Sequence, residues 1–153
     1  MFRGHIRPAG IEEVKTVTIK TIPHDQQRYP TVGDWIWNPE TGDLKVLVSD
    51  TGDWREVMAV GVHEVVEALC CVQDGVNPLR VDSFDIDYEA HRKEGDDSEP
   101  GDDPIAPYYE QHQTATNIER ILTTALGLHW DSYNEHLGEL FDEETNRRPQ
   151  STH

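Results

Sequence analysis

The residues best suited to chemistry in this chain form one short run, V-H-E-V-V-E-A-L, at positions 62–69. His63 and Glu67 are four residues apart, so on a helix their side chains lie on the same face, one turn from each other. Glu64 points to the side of this pair, where it could hold a water molecule and act as its general base. The run differs from the H-E-x-x-H motif of zinc hydrolases in its last position, where Glu67 replaces the second histidine. It therefore predicts a metal site that needs one more ligand.

A second segment supplies a candidate for that ligand. His112 and Glu119 lie on one predicted helix, separated by close to two turns, so they share a face. A catalytic zinc takes three protein ligands and keeps a further position for water. We predict that His63, Glu67 and His112 bind zinc or another divalent transition metal. Glu119 is predicted to be an additional ligand or the residue that orients His112.

Three other interpretations of these residues stay open. His63 and Glu67 could form an ordinary ion pair on a partly exposed helix face, or bond to nearby arginines. Glu64, Glu67 and Glu119 could bridge two Mg or Mn ions in a phosphohydrolase. The protein could also be a binding protein without catalytic activity, whose His/Glu cluster holds a structural metal or none.

The charge of the chain restricts its partners. In 153 residues the formal net charge is −17, so nucleic acids and anionic membranes are not expected to bind, whereas cations are. The expected partner is an unknown protein or peptide substrate. No apolar run is long enough to cross a bilayer and no signal peptide is recognisable, which predicts a cytoplasmic protein. Cys70 and Cys71 are adjacent, and we expect them to be reduced thiols.

The remaining patterns predict one α+β domain at residues 13–141, between flexible segments at 1–12 and 142–153. The expected fold is a small antiparallel sheet of about three strands, packed against three or four helices. An acidic stretch at 94–104 is expected to be a solvated loop. Strands are predicted at 13–22, 34–37 and 44–49, and helices at 54–72, 79–94, 108–126 and 130–141.

Two further groups of residues could take part in a site. Asp85, Asp87 and Glu89 alternate along a predicted helix, so they point to different sides and are expected to face solvent. Tyr108 and Tyr109 lie about one turn before the predicted ligand on their helix. We expect them to pack in the core or at the surface, with the lining of a cleft as the alternative.

Four segments resemble a group of small, largely uncharacterised proteins of tailed bacteriophages. The likeness extends over about residues 14–135 and implies an intracellular phage product in the host cytoplasm. For such a protein, the non-enzymatic alternative is an inhibitor of a host factor, with an acidic surface that binds a basic partner. The segments are Y-P-T-V-G-D-W at 29–35, S-D-T-G-D-W-R at 49–55, H-E-V-V-E-A-L at 63–69 and S-E-P-G-D-D-P-I-A-P-Y at 98–108.

The order of elements is also similar to that of minimal zincin metallopeptidases, in which a short sheet precedes the helix that carries H-E-x-x-H. This resemblance implies a zincin-like fold and a metallopeptidase-type hydrolase, which cleaves an amide bond with metal-activated water. Glu67 departs from the zincin pattern. A site with this extra carboxylate is more anionic and could favour a different metal.

Overall fold

The computed structural model of the chain describes residues 13–96 and 98–147, with side chains through residue 141. The segment 1–12 and the part of the predicted tail beyond residue 147 lie outside the described residues. The α+β prediction is confirmed by three strands and four helices in the described part. In chain order these are β1 (Thr16–Ile22), β2 (Gly33–Asn38), β3 (Asp43–Ser49), α1 (Trp54–Asp74), α2 (Pro78–Ala90), α3 (Tyr109–Ala125) and α4 (Trp130–Arg147), with short 3-10 turns at His24–Gln26 and Pro100–Asp102.

The sheet is mixed, so the prediction of an antiparallel sheet is wrong for its first strand. The strand order is β1-β3-β2; β2 runs antiparallel to β3, while β1 runs parallel to it. Ile22 and Gly33 both lie beside the last residues of β3, so the connection 23–32 crosses over that end of the sheet. Gln27 fixes this crossing, because its amide donates to the backbone carbonyls of Val32 and Leu47. A direct hairpin between β1 and β2 is thereby avoided.

The core lies between the sheet and α1. Leu44, Val46 and Val48 of the central strand are at most 1% exposed, as alternation along a half-buried strand requires. Gly61 lets α1 approach the sheet closely, since a Cβ there would lie 2.9 Å from Cγ2 of Ile19. The helix carrying the H-E-x-x-E motif is therefore seated directly on the sheet.

The ends of α1 and α3 establish that these helices pack antiparallel. Arg55, near the start of α1, donates to the carbonyl oxygen of Leu126 just after α3. At the opposite end, Gln111 of α3 donates to the carboxylate of Asp74, the last residue of α1. Ala115, in the middle of α3, is fully buried and allows a close approach. The first half of α1 therefore faces the second half of α3, and the reverse.

The other two helices differ in length from their predictions. α2 ends at Ala90, before its predicted end, and α4 continues past Phe141 to Arg147. Among residues 13–96 and 98–147, no helix combines the length and the apolar character needed to cross a bilayer.

Candidate metal centre

Three buried donor atoms from α1 and α3 meet at one point. Nε2 of His63 is 3.2 Å from Oε2 of Glu67 and 3.2 Å from Nδ1 of His112, and the last two atoms are 2.8 Å apart. Each residue is at most 6% exposed. A tetrahedral zinc with bonds of about 2.0–2.1 Å holds neighbouring ligand atoms roughly 3.3 Å apart. We call His63, Glu67 and His112 the donor trio; its dimensions fit such an ion.

The first member of the donor trio is oriented from its far side. Nδ1 of His63 lies 2.7 Å from Oε1 of Glu119, and the hydroxyl of Tyr133 donates to the other oxygen of Glu119 at 2.6 Å. An ionised carboxylate can only accept, so Nδ1 carries a hydrogen, and in the neutral imidazole the lone pair is on Nε2. Glu119 therefore orients His63, whereas the sequence suggested His112 or the metal itself as its partner.

His112 is held by the acidic loop. Its Nε2 lies 3.0 Å from Oε2 of Glu99 and 3.3 Å from Oδ1 of Asp102, so Nε2 carries a hydrogen, and in the neutral imidazole the lone pair is on Nδ1. Gly101, between these acids, packs against the ring so closely that a Cβ would lie 2.4 Å from its Nδ1. The prediction of a merely solvated loop misses this contact, although Glu99 and Asp102 are themselves largely exposed.

Glu67 accepts a hydrogen bond from a residue of the sheet. The indole Nε1 of Trp35, on β2, donates to Oε1 of Glu67 at 3.0 Å. The second carboxylate oxygen is left to face the two histidines. With neutral imidazoles the donor trio would point three lone pairs at one buried point, and such an electron-rich cluster requires either protons or a cation between its members.

Without a metal, protons take that position. Burial opposes charge on His63, but hydrogen bonds to its two carboxylate partners outweigh burial and hold its pKa well above the usual range. Burial likewise opposes charge on His112, yet three carboxylate partners raise its pKa to about 12. For Glu67, burial favours the neutral form, but hydrogen bonds from both histidines lower its pKa to about 2. A metal must therefore displace protons from the imidazoles.

Glu64 lies beside the donor trio and is only partly buried. It packs against β2, where a Cβ on Gly33 would lie 2.7 Å from its Oε1. Burial, and then the negative charge of Glu67, hold the pKa of Glu64 well above the usual range. None of the described residues forms a hydrogen bond to its carboxylate. This is the environment of a carboxylate that can exchange a proton.

The donor trio and Glu64 line a cleft of about 440 Å³. We use the name cleft for this cavity, which lies between β2 and all four helices. Its wall includes Asp85, which is only 9% exposed although the sequence predicted a solvent-facing acid. Burial raises the pKa of Asp85 to about 7, against the effect of a hydrogen bond from Tyr108. Tyr108 is itself buried and lines the cleft.

The sequence therefore predicts the residues at the centre of the site, but not the residues around them. His63, Glu64, Glu67, His112 and Glu119 all line the cleft. The missed residues are the outer partners and one wall carboxylate: Trp35, Asp85, Glu99, Asp102 and Tyr133. Trp35, Glu99 and Asp102 lie in the segments at 29–35 and 98–108 that carry the phage resemblance. That resemblance was the signal in the sequence that could have identified them.

Comparison of the chain with protein-family models, curated proteins and solved structures finds no match. The resemblances to tailed-phage proteins and to zincins therefore stay predictions from sequence motifs.

Proposed function

We propose that this protein is a zincin-like, metal-dependent hydrolase of the metallopeptidase type. The donor trio holds zinc or another divalent transition metal, through Nε2 of His63, Oε2 of Glu67 and Nδ1 of His112. The observation that carries this proposal is the convergence of three buried donor atoms. Each of them is oriented by a separate outer hydrogen bond, as in established metal sites.

The residues around the donor trio suit hydrolysis of an amide bond. A bound metal supplies a Lewis acid and a water molecule of lowered pKa. Glu64 lines the same cleft and is not held by a hydrogen bond from the described residues, so its carboxylate is available to accept a proton from that water. It then passes the proton to the leaving amine. The substrate is accordingly a peptide or protein segment that fits the cleft.

The same geometry gives less support to the alternatives. A structural zinc is usually enclosed by four protein ligands, whereas the donor trio offers three and borders a cleft. In a two-metal phosphohydrolase, Glu119 would bridge ions with Glu64 and Glu67. Its two oxygens are instead bonded to His63 and Tyr133.

Metal content tests the proposal directly. The purified protein and a His63→Ala variant are incubated with zinc, dialysed and measured by elemental analysis. We expect one tightly bound zinc per chain in the parent protein and none in His63→Ala. His91→Ala is the matched control, because His91 is an exposed histidine just after α2, and it should bind zinc like the parent. The absence of a bound transition metal from all three proteins would overturn the proposal.

A further inference from the structure

Asp85 is a buried carboxylate without a cationic partner among the described residues. Its oxygens accept hydrogen bonds from the phenol hydroxyls of Tyr29, at 3.1 Å, and Tyr108. These two phenols come from different parts of the chain and fix the direction of the carboxylate. A phenol is neutral, however, so the hydrogen bonds orient the negative charge without cancelling it.

Three neighbouring carboxylates of the cleft wall, unlike Asp85, have an arginine as partner. Asp34 and Asp82 share one arginine, Arg28, with N–O distances of 2.8 and 3.2 Å. Glu89 pairs with Arg92 at 2.7 Å. Arg92, which lines the cleft, and Arg28, whose two partners line it, are therefore both engaged with other acids. Among the acids of α2, Asp85 is thus the buried one that has no counter-charge from the described residues.

This carboxylate lies close to the donor trio. Tyr108, which bonds to Asp85, also packs edge-on against His112, with 6.0 Å between the ring centroids. Asp85, Tyr108 and the donor trio line one cleft, whose volume of about 440 Å³ accommodates an extended side chain. A buried carboxylate without a counter-charge is costly, and a ligand that brings an ammonium or guanidinium group removes that cost.

We propose that Asp85 binds the cationic side chain of the substrate, so that the enzyme acts on peptides with a lysine or arginine next to the scissile bond. The inference rests on the proposed function, since the metal centre defines where that bond lies. Tyr29 and Tyr108 are positioning residues that aim the carboxylate into the cleft. The acidity of the whole chain acts in the same direction, because it attracts basic substrates and repels anionic ones.

Hydroxamates, which chelate zinc, provide the probes. The hydroxamates of Nα-acetylated lysine, norleucine and glutamate are titrated into the zinc-loaded protein at about pH 8, and their Kd values are compared. Lysine and norleucine differ mainly in the ammonium group, so we expect the lysine compound to bind at least about tenfold more tightly, and the glutamate compound most weakly. Equal binding of the lysine and norleucine compounds would overturn the inference.

Substitution at Asp85 then identifies the recognising group. In Asp85→Asn, the lysine preference should fall to about onefold to twofold, while the norleucine compound binds as before, which also shows that the variant is folded. Asp87→Asn is the matched control, because it removes the same charge from an exposed position of α2 and should keep the preference. A preference that survives in Asp85→Asn would assign recognition to another residue and contradict the inference.

A measurement without metal separates this inference from the proposed function. Butylammonium chloride is titrated into the zinc-free protein, and the carboxyl resonance of Asp85 is followed by NMR. A saturable shift, absent with butanol, is expected even if the protein never binds zinc; Asp85→Asn lacks this resonance and so assigns it. If hydroxamates fail to bind but butylammonium shifts this resonance, the metal proposal fails and the cation site stands. If butylammonium causes no shift, the cation site fails.

Discussion

Nδ1 of His63 and Oε1 of Glu119 are joined at 2.7 Å across the interface of α1 and α3. This bond links the H-E-x-x-E helix to a carboxylate that lies 56 residues further along the chain. It fixes a hydrogen on Nδ1 of His63, so that the neutral imidazole has its lone pair on Nε2, where a metal could bind. The hydroxyl of Tyr133 holds the carboxylate from behind. A metal held at this point would depend on both partners, although neither is one of its proposed ligands.

Removal of the Glu119 charge should weaken metal binding without abolishing it. We expect Glu119→Gln to raise the Kd for zinc about 10- to 100-fold, the usual effect of changing the hydrogen-bond partner of a ligand histidine. Competition with a chromophoric chelator measures this change. Glu110→Gln, on an exposed turn of the same helix, is the matched control and should leave the Kd unaltered. Equal zinc affinity in both variants would mean that Glu119 has only a packing role.

The acidic loop that contacts His112 should affect zinc affinity as strongly as Glu119, which contacts His63. In Gly101→Ala the new Cβ would lie 2.4 Å from Nδ1 of His112, so either the loop or the ring must move. We expect at least about a tenfold loss of zinc affinity. The zinc-free Tm should fall as well, because the contact is present without metal.

A charge substitution in the same loop separates the hydrogen bond from the steric contact. Glu99→Gln keeps the size of the side chain but loses the charge beside His112. Its zinc affinity should therefore fall, while its zinc-free Tm should change less than that of Gly101→Ala. Glu94→Gln is the control, because Glu94 is exposed in the same loop. If Glu99→Gln and Glu94→Gln bind zinc equally, the loop does not orient the histidine.

The centre of the site was predictable because it depends on local periodicity. His63, Glu64 and Glu67 take their relative positions from one helix, and a spacing of four residues fixes them. His112 and Glu119 share a face of α3 for the same reason. That Glu119 contacts Nδ1 of His63 while His112 faces its Nε2 depends on the antiparallel register of α1 and α3. Spacing within one helix contains no information about that register.

The outer parts of the molecule were less predictable because distant segments decide them. The direction of β1 follows from a connection that crosses the end of the sheet, and its turn residues alone do not reveal that crossing. Asp85 has the sequence surroundings of a solvent-facing acid. It is buried because Tyr29 and Tyr108, which are 56 and 23 residues away, donate to it. Tertiary hydrogen bonds of this kind override the helical pattern.

Zinc binding at neutral pH should release protons. In the metal-free protein the pKa of His63 is raised and that of His112 is about 12, because the hydrogen bonds to carboxylates outweigh burial. Both imidazoles therefore hold an extra proton at pH 7, and each must lose it to become a ligand. We expect about two protons to be released per zinc. Calorimetric titrations in buffers of different ionisation enthalpy measure this number, and a value near zero would contradict the protonated metal-free state.

The same shifts predict how the stability of the metal-free protein depends on pH. Raised histidine pKa values contribute stability that is fully present below the unfolded value of about 6.5 and is lost as pH rises through the folded values. The lowered pKa of Glu67 contributes stability that is present above its unfolded value and is lost as pH falls through about 2. These contributions coincide between about pH 4.5 and pH 6.5.

Added zinc should therefore raise the Tm more as the pH increases. Protons compete with zinc at about pH 5.5 and much less at about pH 8.5. Thermal unfolding at both values, with and without zinc, measures the difference. His63→Ala should show little zinc-dependent change in Tm at either pH, and a zinc effect that is independent of pH in the parent protein would argue against imidazole ligands.

Substitution of Glu64 should lower catalytic activity without changing metal binding. Its carboxylate lies in the cleft but is not a member of the donor trio, so Glu64→Gln should bind zinc with an unchanged Kd. Loss of the base that accepts a proton from water should lower kcat about 10²- to 10⁴-fold on any peptide that the parent protein cleaves. Glu67→Gln should instead weaken zinc binding, because it removes a ligand charge and disturbs the acceptor of the Trp35 indole. If Glu64→Gln retains full activity, the proton is accepted by another group; if it loses zinc, Glu64 is itself a ligand.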